Sequence, residues 1–200
     1  MTMRRAALTG GLATGKSYCL ARFASLGARV VDADRLAREA VAPGTAGLAR
    51  VVERFGPEFL VPDGSLDRPA LGQLVFADRT ARADLEAIIH PEVYRRIGEW
   101  FANLPAGTQI AIADIPLLFE TGHQHDFELV IVCACSPAEQ LRRLTARDGL
   151  SEAAARARLD AQWPIEEKIE RAHLVIRTDS GFAETDRAVA TAYERLRAGG

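Results

Sequence analysis

The stretch from Ala6 to Ser17 constrains this 200-residue chain more than any other. An apolar run, Ala6-Ala7-Leu8, leads into Thr9-Gly10-Gly11-Leu12-Ala13-Thr14-Gly15-Lys16-Ser17, where Gly10, Gly15, Lys16 and Ser17 satisfy G-x-x-x-x-G-K-[ST]. The run reads as a buried strand and Lys16 to Leu26 as a helix, with Gly27 as its left-handed cap. A strand, a glycine loop and a helix N-terminus make an anion site. Backbone N–H groups point inward, the helix dipole adds partial positive charge, and glycines let phosphate oxygens approach closely. The pattern predicts a nucleoside triphosphate site contacted by Gly10, Gly11, Ala13, Thr14, Gly15, Lys16, Ser17 and Tyr18. Lys16 would reach the β- and γ-phosphates, and Ser17 would hold Mg²⁺.

The rest of the composition bounds the setting. Two hundred residues suffice for one compact α/β unit with insertions. A net charge of −2 argues against non-specific nucleic-acid or membrane binding. No stretch reaches the roughly 18 apolar residues of a membrane span and no signal-peptide core opens the chain, so a cytoplasmic protein is expected. Three cysteines, Cys19, Cys133 and Cys135, form no disulfide framework and no metal-ligand spacing, and read as core thiols.

Downstream, strands and helices alternate. Ala28 to Asp32 is a short strand, and Asp32-Ala33-Asp34 opens a helix from Arg35 to Val41. Ligands of open parallel sheets sit beyond the carboxyl ends of strands, which puts both aspartates at the phosphate-loop edge. Asp34 reads equally as a plain N-cap. From Thr45 to Leu104 the pattern is helical without strand signals: Leu48, Val51, Val52 and Phe55 share one face, Asp67 caps a helix with Pro69 in its first turn, and two further helices flank a break at His90-Pro91. This block reads as a substrate-binding insertion, 45–104. Gln109 to Ala113 and Leu129 to Cys135 are further strands. Asp114 at the end of the former reads either as an acidic partner near Mg²⁺ or as a loop aspartate before proline. Ser136-Pro137 begins a helix bearing Arg142, Arg143 and Arg147, and Ser151 caps another. Arg143 and Arg147, four apart, lie on one face. The segment 137–162 reads as an arginine-bearing lid over the nucleotide. Leu174 to Ile176 is a fifth strand and Glu184 to Arg197 a terminal helix. The expectation is therefore an α/β chain with a five-stranded parallel sheet flanked by helices, a helical insertion and a helical lid, the core being 1–44, 105–136 and 163–200.

Several blocks, in order, resemble dephospho-coenzyme A kinases over nearly the whole chain: the phosphate loop, Val31-Asp32-Ala33-Asp34 with Ala37-Arg38, Leu66-Asp67-Arg68, Leu85-Glu86-x-Ile88-x-His90-Pro91, Pro116-Leu117-Leu118-Phe119-Glu120, and Gln140, Arg143, Arg147-Asp148 and Gln162. The resemblance implies a P-loop NTPase fold and ATP- and Mg²⁺-dependent phosphorylation of the ribose 3′-hydroxyl of dephospho-CoA, the last step of coenzyme A synthesis. It also implies Asp34 as base or orienter for that hydroxyl, Arg143 and Arg147 as cations closing over the phosphates, and Arg68 and His90 as contacts to the CoA precursor. The adenine of ATP would lie against Arg143 and the loop after strand five. Where the family more often has glycine and serine, this loop reads Leu12-Ala13-Thr14. Ala13 suits the cradle provided its φ stays negative. Tyr18, His173 and Thr178 are further departures.

Two rivals remain at this level. Another small-molecule kinase of the same fold would share the phosphate loop but not the Leu85-to-Pro91 block. A nucleotide-dependent switch would usually carry an N/T-K-x-D guanine-reading motif, which this chain lacks.

Overall fold

The computed structural model describes residues 3–199. The elements run β1 (Arg4–Gly10), α1 (Lys16–Ser25), β2 (Arg29–Asp32), α2 (Ala33–Ala40), α3 (Ala46–Phe55), α4 (Arg68–Ala77) and α5 (Arg79–Ala102). They continue with β3 (Ile110–Asp114), β4 (Leu129–Ala134), α6 (Pro137–Asp148), α7 (Glu152–Asp160), α8 (Ile165–Glu170), β5 (Leu174–Arg177) and α9 (Phe182–Ala198). Two short 3-10 turns, Pro57–Phe59 and His123–Asp126, lie in the connections. No helix among the described residues is long and apolar enough to cross a membrane.

The chain divides into two compact units, Met1–Val31 with Leu104–Gly200, and Asp32–Asn103. In the first, a five-stranded sheet has the order β2-β3-β1-β4-β5. β1 pairs in parallel with β3 on one side and β4 on the other, and β4 pairs in parallel with β5. Alternate residues of the central strands (Ala6, Leu8; Ile110, Ile112; Ile131, Cys133) share one sheet face and pack against Cys19 and Phe23 of α1 and Val189, Ala192 and Leu196 of α9. The intervening residues Ala7, Ala111, Ala113, Val130 and Val132 are equally buried. Burial on both faces explains why these strands read as continuous apolar runs, as parallel strands do. The order reverses at β1, so the crevice between its neighbours opens at the carboxyl end, where Gly10 begins the loop. The register sets Asp114 beside Leu8 and Cys133 beside Gly10.

The second unit is helical. Val41, Leu48, Val51, Phe55, Leu71 and Ala81 form its core, with Leu85, Ile88 and Ile89 packed against them. Asp67 caps α4 by accepting from the N–H of Ala70, as its position predicts. The break expected at His90-Pro91 is absent: α5 runs unbroken through Pro91. Proline removes one i→i−4 hydrogen bond, but apolar residues anchor the helix on both sides, Ile88 and Ile89 before it and Val93, Ile97 and Phe101 after it, and this burial overrides the local breaker. The cap of α2 also differs from the alternative entertained for Asp34. Asp32 Oδ1 accepts from the N–H groups of Asp34 and Arg35 at 2.8 and 3.3 Å, so Asp34 stands inside the first turn, exposed. Since α2 packs against α5, the helical unit begins before the Thr45 boundary expected from the sequence.

Asp78 Oδ1 holds the N–H groups of Thr80 and Ala81 at the start of α5. Asp78→Ala should therefore lower the stability of the protein by about 1 kcal/mol, read as a shifted midpoint in urea unfolding.

Candidate active site

The loop between β1 and α1 is folded by contacts that only small residues permit. At Gly10 a Cβ would come within 2.5 Å of the Cys133 carbonyl oxygen and 2.7 Å of Thr14 Oγ1, which is why glycine ends the strand. Thr14 Oγ1 donates back to the Gly11 carbonyl at 2.8 Å, closing the turn. Ala13 (φ 58°) and Gly15 (φ 80°) are both left-handed, on either side of Thr14. The condition on which alanine suits the cradle without strain, a negative φ, is not met: the turn holds Ala13 in the left-handed region, which an L-residue adopts at a cost. Among the described residues, the backbone N–H groups of Ala13, Gly15, Lys16 and Ser17 make no hydrogen bond within the protein. With the N-terminus of α1 they make the kind of donor array that suits an anion.

Side chains complete the positive field. Lys16 Nζ forms an ion pair with Asp114 Oδ1 at the end of β3, with both side chains largely buried. Sequence reading left Asp114 open between two roles, and the register of β3 against β1 is what brings it to Lys16. Arg143 of α6 spans the far side, donating to the Thr178 carbonyl at 2.6 Å, the Thr178 hydroxyl at 3.1 Å and the Ala13 carbonyl at 3.4 Å. Thr178, just past β5 and 5% exposed, passes its own hydroxyl hydrogen to the Thr14 carbonyl at 2.9 Å. Glu139 orients Arg143 through Nε at 2.7 Å, and Arg142 and Arg143 together hold its carboxyl down at about 2, so it stays ionised.

Other expected residues sit elsewhere. Tyr18 turns its hydroxyl to Asp186 of α9 at 2.8 Å and its ring to Phe182, which leaves only its backbone at the loop. Arg147 is exposed and pairs with the neighbouring Asp148 at 2.7 Å rather than with the loop. Asp34, Arg68 and His90 belong to the helical unit. Arg68 donates to the Arg38 carbonyl at 2.9 Å, and burial, with the nearby Arg38 charge, lowers its pKa. Cys19, Cys133 and Cys135 are free and buried, as core thiols should be. The sequence offers Asp114 as one of two readings and names Gln140, Gln162 and the Thr178 loop only through the family blocks, without a contact to the phosphate loop for any of them. All four come from elements far from the loop in sequence, and strand order is what gathers them.

The donors suit Mg²⁺ without a dedicated cage. No cluster of three or more His, Cys, Asp or Glu able to hold a metal exists among the described residues. Mg²⁺, however, typically takes one or two protein oxygens together with phosphate oxygens and waters, and the Ser17 hydroxyl and Asp114 carboxylate are hard oxygen donors beside the loop.

The parallel sheet with this loop at its reversal point defines the P-loop NTPase fold. A sequence family described as CoaE, dephospho-CoA kinase, matches residues 5–184. A dephospho-CoA kinase of Cutibacterium acnes is 46% identical over 96% of this chain and 84% of its own length. Among solved structures, TT1252 from Thermus thermophilus superposes with a TM-score of 0.82 at 36% identity, covering 96% of each chain. Dephospho-CoA kinase from Campylobacter jejuni does so at 0.74 and 29%, covering 99% of each. This chain belongs to the dephospho-CoA kinase family.

Because Ala13 is left-handed, Ala13→Gly should stabilise the nucleotide-free protein by about 1 kcal/mol, measured by urea unfolding, while Ala13→Val should destabilise it.

Proposed function

We propose that this protein transfers the γ-phosphoryl group of ATP to the ribose 3′-hydroxyl of dephospho-CoA, releasing ADP and coenzyme A. The observation that carries the reading is the preformed anion loop with Lys16 at the start of α1, found in a chain of this family. The phosphorus–oxygen bond to the β-phosphate breaks, a bond to O3′ forms, and the hydroxyl proton passes to a carboxylate.

Phosphoryl transfer runs through a loose transition state, so positioning and charge neutralisation carry most of the catalysis. The backbone N–H groups from Ala13 to Ser17 would bind the β-phosphate oxygens, with Gly10 and Gly11 allowing the approach. Lys16 would leave Asp114 in part to bridge the β- and γ-phosphates. Arg143, already fixed at the loop, would border the adenine and phosphates, and Arg147 would join it when the α6–α7 lid closes. Ser17 and Asp114 would hold Mg²⁺, which when bound neutralises the charge on the β- and γ-phosphates. Asp34, exposed on α2 and free of capping duty, would orient the 3′-hydroxyl and accept its proton, while Arg68 and His90 would contact the CoA precursor. On this reading the enzyme is cytoplasmic and acts on a small molecule, and a net charge of −2 favours that over non-specific binding to nucleic acid or to a membrane surface.

Asp34→Asn tests the acceptor side. It should lower kcat by about 10²- to 10⁴-fold while the KM for ATP stays within about twofold, because Asp34 serves the acceptor and not the nucleotide. An unchanged kcat would remove Asp34 from the mechanism.

A further inference from the structure

Leu12, at the tip of the phosphate loop, is held at both its backbone polar groups by side chains from the lid. Gln140 Nε2 donates to the Leu12 carbonyl at 2.8 Å, and the Leu12 N–H donates to Gln162 Oε1 at 3.1 Å. Leu12 offers one acceptor and one donor, so each glutamine amide has only one orientation that satisfies it. Gln140 lies in the first turn of α6 and is 5% exposed. Gln162 lies two residues beyond α7. The two residues are thus the two legs of the α6–α7 hairpin, and both legs close on one residue of the loop. Gly11 makes the approach possible, because a Cβ there would overlap the Gln140 amide nitrogen.

We propose that Gln140 and Gln162 are positioning residues that clamp Leu12 and so pre-organise the phosphate loop for nucleotide. The inference rests on the nucleotide reading of that loop. Its physical basis is the neighbouring strain: a left-handed alanine persists only where surrounding contacts over-determine it, and Ala13 adjoins Leu12 directly. The clamp consumes the Leu12 N–H and leaves those of Ala13, Gly15, Lys16 and Ser17 for an anion. A loop ordered before binding spares the nucleotide the cost of ordering it. Release of the clamp therefore weakens nucleotide binding and leaves the chemical step intact.

The return leg is fastened a second time. The Trp163 N–H donates to Glu120 Oε1 at 3.2 Å, and the same oxygen lies 2.6 Å from Lys168 Nζ, whose side chain is fully buried. Phe119 stacks on Trp163 at 6.2 Å. The hinge beyond Gln162 is therefore anchored to the segment after β3 independently of Leu12, and loss of the glutamine contact frees the loop rather than the whole lid.

The test uses Gln140→Met and Gln162→Met, which keep side-chain length and remove the amide, alone and combined. Calorimetric titration with ADP should show each single variant binding about tenfold more weakly, the scale of one hydrogen bond. The KM for ATP should rise by a similar factor, with kcat within about twofold of the parent. The double variant should be no more than about threefold weaker than either single one, because both act on the same residue. Amide exchange at Leu12 should accelerate in Gln162→Met while that of β4 residues Val130–Cys133 stays unchanged, which shows that the fold is intact. Unchanged ADP affinity, a fall in kcat at constant KM, multiplicative losses, or unaltered exchange at Leu12 would each overturn the clamp. Failure of the parent protein itself to bind ADP would instead overturn the nucleotide reading.

Discussion

A turn that presents successive backbone N–H groups in one direction is unstable by itself, because it needs left-handed residues and leaves donors unpaired. Here that turn is held from several sides. The Cys133 carbonyl of β4 closes on Gly10, Thr178 beyond β5 and Arg143 of α6 take the Thr14 and Ala13 carbonyls, and the Leu12 peptide groups are taken by Gln140 and Gln162. These contacts satisfy the outward-facing carbonyls and leave inward N–H groups free. The strained φ of Ala13 is a consequence of that arrangement, and an anion accepting from the free donors would complete it.

The same economy governs the charges. Lys16 and Asp114 neutralise one another in a largely buried pair, as do Lys168 and Glu120. A buried pair contributes little net stability against its desolvation, but removing one partner leaves a charge that is costly to keep. Lys16 thus has a partner in the nucleotide-free protein, and in the proposed reaction the phosphates would supply a second one. Arg143 is held in place by Glu139 before any ligand arrives. By contrast, Arg142 and Arg147 lie in solvent against their neighbours, where such pairs are worth at most about 1 kcal/mol.

Much of the fold was legible because local signals and burial agreed. The apolar runs of β1, β3 and β4, the caps Asp67, Ser136 and Ser151, and the helical face from Leu48 to Phe55 all appear where the pattern put them. Pro91 shows the limit. Its breaking tendency is local, whereas the packing that carries α5 through it is set by residues of several helices. Asp32 and Asp34 show another: both are good caps in a sequence two apart, and only the backbone decides which one serves. The loop motif exposed Gly10, Gly15, Lys16 and Ser17, since their spacing is local. Asp114, Thr178 and the two glutamines are tied to it only by strand order and by the reach of the lid, which no local pattern encodes.

A dephospho-CoA kinase transfers the phosphoryl group to one acceptor at one hydroxyl. Incubation with γ-³²P-labelled ATP, Mg²⁺ and, in separate tubes, dephospho-CoA, adenosine, AMP, shikimate or no acceptor tests it most directly when the labelled product is isolated and its phosphate located. The expected result is label in a 3′-phosphomonoester formed only with dephospho-CoA. Label transferred to another acceptor, or released as inorganic phosphate at one slow rate in every tube, would contradict it.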